Sequence, residues 1–402
     1  MNWIDVAAIA LIVGPSLALA HSYVFYPAIW LLIDKFFPHT NEERMPGPAS
    51  EKVTIIVAAH NEEAVIADRV ANCLALDYPA DLLEVIIASD GSADATVERA
   101  RLAAGGHPSA RILDFPMRRG KSSALNDAVA QANSDVLVFS DANVEFDKGA
   151  ITALVHRLRD PKTACVCGKL CFKVPANRVH AYTEGLYWRL ETWLKEREGR
   201  RGMALGVNGA IFAMRRDLWR ACPADSIVED FFIPMRLLMD GWKVTFEPQA
   251  VAWEDLPPLQ SDEFGRRIRI GAGDFQALSR LWPLLLPHHG WAAFVFLSHK
   301  VLRWLGPFFL ITILCGTVWL SLRGFALAQL LLTLEAFALA VAWVGLSIHQ
   351  GQSLASRVAG AAGHFLSMNA ALFLGFFRWL RRSQSVAWRR TRRADTPQST
   401  PN

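Results

Sequence analysis

Four short polar clusters interrupt or open apolar runs in this sequence: His60-Asn61-Glu62-Glu63, Ser89-Asp90-Gly91-Ser92, Asp141-Ala142-Asn143 and Glu229-Asp230. Carboxylates and amides are the side chains that ligate hard cations and take up protons. Glu229-Asp230 is the sharpest of the four, because two adjacent acids open the apolar Phe231-Phe232-Ile233-Pro234, where exposed charge has no structural reason to sit. One of the two is expected to be catalytic. A basic cluster, Arg118, Arg119 and Lys121, stands just before a helical segment whose N-terminus suits an anion. A solvated helix start is the competing reading for Lys121, and the G-x-x-x-x-G-K-[ST] spacing of a P-loop is missing.

The elements that must position these residues follow from apolar periodicity. Val53–Ala59, Glu84–Ala88, Arg111–Phe115 and Asp135–Ser140 are short continuous apolar runs, and 64–76, 93–104 and 121–132 carry helical spacing. Strands buried on both faces and alternating with helices predict a parallel α/β sheet. The polar clusters then fall at the carboxyl ends of strands, where open α/β sheets bind ligands. At one turn such residues would read as helix caps; at three successive turns they point to a site. Cys165, Cys167 and Cys171 alternate within an apolar stretch and read as strand residues, without the paired spacing of a zinc site.

The chain has 402 residues, 52% of them apolar and 20% charged, with a mean hydropathy of +0.20, which excludes a disordered or small secreted protein. Its net charge of +4 is uneven, with arginines crowded at the C-terminus; that tail suits anionic lipid headgroups, and no nucleic-acid partner is expected. From Val6 to Ile33 the sequence is apolar with only His21 able to carry charge, and no basic segment precedes it as in a signal peptide. The expected organisation is an N-terminal transmembrane helix over 1–35, a linker over 36–50 and an α/β domain over 51–287. An interfacial amphipathic segment containing His288, His289 and His299 follows over 288–304, then transmembrane or interfacial helices over 305–380 and a basic, then disordered tail over 381–402. A cytosolic domain after one span leaves the arginine-rich tail outside if three full spans follow, against the positive-inside rule. One closing apolar segment is therefore expected to lie in the interface or to re-enter.

The ordered series AAHNEE, ASDGSAD, RRGKSSALN, FSDAN, VED and RRIRI resembles the membrane-bound family 2 glycosyltransferases, whose members include cellulose, hyaluronan and poly-N-acetylglucosamine synthases and ceramide glucosyltransferases. The resemblance covers about residues 53–270 and implies a GT-A fold, Rossmann-like, with transmembrane helices before and after it. It implies that Asp141 and Asn143 occupy the Asp-x-Asp position that holds Mg²⁺ or Mn²⁺ across a diphosphate. Asn143 brings no charge, so Asp141 is expected to carry the metal, with Asn143 a weaker ligand, a ribose contact or a helix cap. It further implies donor contacts from Asn61, Glu62, Asp90 and Lys121, a glycine loop at Gly209 against the donor sugar, and Arg266 and Arg269 at the diphosphate. Asp230 takes the place of the general base, with Glu229 orienting it.

One departure stands out. Where the synthases carry Trp after the arginine, this chain has Ile270, with Phe275 or Trp282 as nearby aromatic substitutes. The loss of a stacking face leans away from polymer threading. The expected activity is inverting transfer from a UDP-sugar to a membrane-held acceptor at a bacterial inner membrane, with the multi-pass chain's catalytic domain in the cytosol. Two alternatives stand beside it: a processive β-polysaccharide synthase, and a catalytically weak scaffold subunit of a polysaccharide-export complex, either of which implies partner subunits.

Overall fold

The computed structural model describes residues 2–38, 47–48, 50–173, 181–255, 260–347 and 353–385, with side chains of 181–188 and 260–263 left aside. Part of the expected linker and most of the basic and disordered tail lie outside the described residues.

Strands β1 (Val53–Ala59), β2 (Leu83–Asp90), β3 (Ala110–Phe115) and β4 (Val136–Asp141) pair in parallel in the order β3-β2-β1-β4. Helices α2 (Ile66–Leu74), α3 (Thr96–Ala104) and α4 (Lys121–Gln131) connect them. Every residue of β1 is buried, because its odd and even positions enter two different cores. Val53, Ile55 and Val57 pack with Ile66 and Val70 of α2, while Ile56 and Ala58 pack with Leu125 and Val129 of α4. That is why the strand reads as an unbroken apolar run.

The expectation of a parallel sheet holds for this half only. Beyond β4 come β7 (Phe212–Arg215), antiparallel to it, then β6 (Thr163–Lys173), β8 (Lys243–Asp255) and β5 (Val144–Phe146), making a mixed eight-stranded sheet in the order β3-β2-β1-β4-β7-β6-β8-β5. Where β6 and β7 pair they are as buried as β1: Cys165 and Cys167 are buried in β6, and Phe212 to Met214 in β7. Burial on both faces erases the alternation that marks antiparallel strands in a sequence. Strand order reverses between β1 and β4, and that reversal opens a crevice at their carboxyl ends, where Ala58 of β1 pairs with Asp141 of β4.

Helix α5 (Ala150–Leu158) precedes β6, α6 (Ala181–Arg200) follows it, α7 (Glu229–Met239) precedes β8, and α8 (Gln260–Leu281) follows it. Among the described residues three helices are long and apolar enough to cross a membrane: α1 (Trp3–Phe36), α11 (Ala326–Leu346) and α12 (Leu354–Leu380). A bent pair, α9 (Trp291–Trp304) and α10 (Gly306–Leu322), would make a fourth, broken at 61°. The segment expected to be interfacial, 288–304, has both exposed and buried faces: Trp291 and Leu297 are exposed. Ser298, His299 and Arg303 of α9 are buried, held against α1 and α6 instead of facing headgroups. The 34 residues of α1 are more than a bilayer core needs, and these contacts form past its midpoint, at His21, Ser22 and Tyr26.

Candidate active site

The β1 and β2 ends are knitted together by the very residues expected to meet the donor. Asn61 adopts φ 55, a left-handed conformation that Asn tolerates. Its Oδ1 accepts from the Ala93 N–H at 2.8 Å, and its own N–H donates to Ser92 Oγ at 3.1 Å. The Glu62 N–H donates to Thr96 Oγ1 at 2.7 Å. Asp90 is fully buried. Its carboxylate accepts from the Arg119 N–H at 2.7 Å and the Gly120 N–H at 2.8 Å, so it pins the loop that starts α4. Gly91, at φ 62, completes that docking, since a Cβ there would lie 2.5 Å from Arg118 N.

The pinned loop delivers Lys121 to the centre of the crevice. Its Nζ stands 2.8 Å from Asp141 Oδ1 and 2.8 Å from Glu229 Oε1. Burial works against the charged ammonium, but the facing Asp141, Glu229 and Asp230 outweigh it and hold the pKa above the ordinary lysine range. Asp230 shows the reverse balance: burial, then Glu229 and Asp141, push its carboxyl up to about 6 against the pull of Lys121 and Lys195. A carboxylate poised near neutrality is what general-base chemistry needs. Gly209 closes the group. A Cβ on it would sit 3.2 Å from Asp230 Oδ2 and 3.5 Å from Lys121 Nζ, and the adjacent Val207 N–H donates to the Asp230 carbonyl at 3.0 Å. Glu229, Asp230, Lys121, Asp141 and Gly209, drawn from four separate stretches, are thus brought together.

Other expected residues stand elsewhere. Asn143 donates from Nδ2 to Glu254 Oε1 on β8 at 2.8 Å, which leaves its carbonyl oxygen as the ligating end. Arg269 donates from Nη1 to the Ile227 carbonyl at 3.1 Å, a contact with the chain entering Glu229-Asp230; Arg266 is on an exposed position of α8. Neither proposed aromatic substitute offers a stacking face beside Asp230. Phe275 is buried, stacked on Trp379 and edge-on to Phe376, because it faces the apolar helix α12; Trp282 is exposed in a 3₁₀ turn beyond the end of α8.

As to a metal, no group of three or more His, Cys, Asp or Glu clusters among the described residues. Asp141, with its side chain 38% exposed, and the Asn143 carbonyl fit a different kind of site, in which one or two protein oxygens hold a hard cation that substrate phosphates complete.

Sequence reasoning missed several groups. His60 is buried with Nδ1 2.8 Å from the Asp90 carbonyl oxygen. Asp274 on α8 has its carboxyl pushed up to about 8, by burial first and then by Asp230 and Glu191, with Lys300 and Arg267 opposing. Its i, i+7 spacing from Arg267 was the available signal. A buried polar network joins α6 to both apolar helices at the base of the domain. Glu198, wholly buried, accepts from Tyr26 Oη at 2.6 Å and stands 2.6 Å from His299 Nδ1. Glu191 pairs with Lys300 at 2.7 Å, with His299 Nε2 at 3.1 Å and with Arg303. Burial would raise the Glu191 carboxyl, but Lys300, His299 and Arg303 take it well below the usual carboxylate range. Breaking such a buried pair strands the partners, so Glu191→Leu is expected to destabilise the protein by about 3–5 kcal/mol. The thermal midpoint in detergent measures it, and an unchanged midpoint would show Lys300, His299 and Arg303 to be satisfied without Glu191.

Comparison with known proteins agrees with the fold. Residues 54–220 match the family model Glycosyl transferase family 2. A poly-β-1,6-N-acetyl-D-glucosamine synthase of Staphylococcus aureus (strain COL) is 25% identical over 276 residues, 64% of this chain and 66% of that one. The corresponding synthase of Staphylococcus epidermidis is 24% identical over 240 residues, 58% of each. The chain therefore spans just under two thirds of the length of these relatives. Mannosyltransferase PcManGT from Pyrobaculum calidifontis, solved in complex with GDP-Man and Mn²⁺, shares the fold at a TM-score of 0.66 and 23% identity, over 94% of this chain and 98% of that chain. The match across β1 to β7 and the mixed sheet with its crevice at the strand reversal give this chain a family 2 glycosyltransferase domain over residues 54–220, with the GT-A fold.

Proposed function

We propose that the chain is an inverting glycosyltransferase that moves a sugar from a UDP-sugar to a membrane-held acceptor, with Asp230 as general base. One observation carries the reading: Lys121 bridges Asp141 and Glu229 at 2.8 Å each, beside an Asp230 carboxyl raised to about 6. Asp230 accepts the proton of the acceptor hydroxyl as its oxygen attacks the anomeric carbon. The carbon–oxygen bond to the diphosphate breaks on the opposite face, which inverts the centre. Lys121 supplies positive charge where the leaving diphosphate develops its own, and Glu229 holds that ammonium in place. Asp141 and the Asn143 carbonyl are the residues that would hold Mg²⁺ or Mn²⁺, whose chemistry there is to neutralise the diphosphate. The Mn²⁺ bound by the Pyrobaculum enzyme supports the cation, and its GDP-Man makes guanosine donors the control for the uridine ones.

Membrane delivery of the acceptor is supported by α8 and α9, which line the domain's base and continue into apolar helices. This reading places the protein as a multi-pass component of a bacterial inner membrane with the GT-A domain in the cytosol. Incubating membranes with labelled UDP- and GDP-sugars tests it: label in an organic-extractable lipid is expected, and label in neither lipid nor polymer would favour a scaffold role within an export complex.

The processive alternative draws on the named activity of the staphylococcal relatives. Against it stand Ile270, partly buried against the core, and the burial of Phe275. Short products, one or few sugars long, are therefore expected on size exclusion of labelled material from purified protein. A high-molecular-weight polymer made without partner subunits would overturn that expectation.

A further inference from the structure

The segment Asp225–Val228 carries the chain into Glu229-Asp230 without regular structure of its own, yet Ser226, Ile227 and Val228 are buried. Buried backbone without a helix or strand must find its hydrogen bonds elsewhere. Here they come from side chains of α8. Gln276 uses both ends of its amide: Oε1 accepts from the Ile227 N–H at 3.1 Å, and Nε2 donates to the Asp225 carbonyl at 2.8 Å. Arg269, two turns earlier on the same helix face, donates to the Ile227 carbonyl at 3.1 Å. Between them Gly273 admits the segment, since a Cβ there would lie 2.6 Å from Val228 Cγ1. Across the segment, Ser122 of α4, next to Lys121, donates from Oγ to the Ser226 carbonyl at 3.4 Å. The chain that presents Asp230 is thus held between the helix bearing Lys121 and a helix packed on α12, where a Cβ on Gly375 would stand 2.7 Å from Ala272 N.

We propose that Gln276 is a positioning residue for the reaction: its two-ended grip on Asp225 and Ile227 sets where the Asp230 carboxylate stands relative to Lys121 and the acceptor. The proposal rests on the reading of Asp230 as the base. The amide does for two backbone groups what a neighbouring strand would do, and no other residue type of that length offers a donor and an acceptor together. Glutamate keeps the acceptor for the Ile227 N–H but turns a second oxygen towards the Asp225 carbonyl; leucine offers neither. A slipped segment alters the separations of Asp230 from Glu229, Lys121 and Asp141, which set its proton affinity. It leaves Asp90, Asn61 and Asp141 in place, because those hang on other strands.

The test compares Gln276→Leu, Gln276→Glu and Asp230→Asn in the full-length protein, reading kcat, donor KM, UDP binding and the pH profile. For Gln276→Leu we expect kcat to fall by up to about 100-fold, the scale of a small misplacement of a reacting group. Donor KM and UDP binding should stay unchanged, and the acid limb of the profile should move from its wild-type position. Gln276→Glu should show a smaller loss of the same kind, and it carries the test if the leucine variant does not fold. Wild-type kcat and acid limb in both variants, beside a dead Asp230→Asn, would overturn the positioning role alone. Loss of UDP binding in step with kcat would reduce Gln276 to a structural residue and overturn it as well. Retained turnover in Asp230→Asn would overturn the base assignment and this proposal together.

Discussion

Asp230→Asn is expected to abolish sugar transfer, with a loss of about 10²–10⁴ in kcat, the range associated with a positioned general base, while UDP binding stays within a few-fold. The substitution is nearly isosteric, so the Val207 N–H keeps its bond to the residue 230 carbonyl and Gly209 keeps its close approach. What disappears is the carboxylate that takes the proton. The wild-type pH profile should show an acid limb near 6, because Asp230 must be ionised to act and its carboxyl titrates at about 6. Activity rises as pH climbs through that value and is lost below it. Lys121→Met should move the limb to higher pH, since Lys121 is one of the two cations that stabilise the ionised form. Turnover of Asp230→Asn above about a tenth of wild type lies outside the loss expected for a base and would reject the role.

The second large effect concerns Asp141. Asp141→Ala removes the most exposed carboxylate of the Lys121 cluster and the residue proposed to hold the cation, so transfer is expected to fall by about 10²–10³, as for the loss of one preorganised electrostatic group. Chelation of divalent cations should have an effect of the same order in the wild type and add little in the variant. The acid limb supplies an independent readout: Asp141 helps to raise the Asp230 carboxyl, so its removal should move that limb to lower pH. Normal transfer in EDTA-treated membranes would show that cationic side chains, and not a metal, neutralise the diphosphate.

The candidate site was legible wherever the chemistry was local. Asp141 and Asp90 announced themselves as acids ending apolar runs, and Glu229-Asp230 as charge opening an apolar segment. The roles of Asn61, Asp90 and Arg269 were less legible, because each turns to backbone partners dozens of residues away: Asn61 to Ala93, Asp90 to Arg119 and Gly120, Arg269 to Ile227. A side chain able to bind a ligand is equally able to satisfy a buried loop, and residue type alone does not separate the two. Asp274 and Gln276 lay in a helical pattern that gave no hint of which neighbours α8 would meet.

Period and run length in the chain determined the first four strands, their helices and the apolar spans, since burial on one or both faces leaves its mark on consecutive residues. Tertiary structure alone decided the antiparallel strands of the second half, the enclosure of His299 between Glu191 and Glu198, and the meeting of Lys121 with Asp141, Glu229 and Asp230. Those contacts join segments about 20 to more than 100 residues apart, and the strength of the Lys121 cluster comes from the low dielectric of a crevice that exists only once the sheet reverses its strand order between β1 and β4.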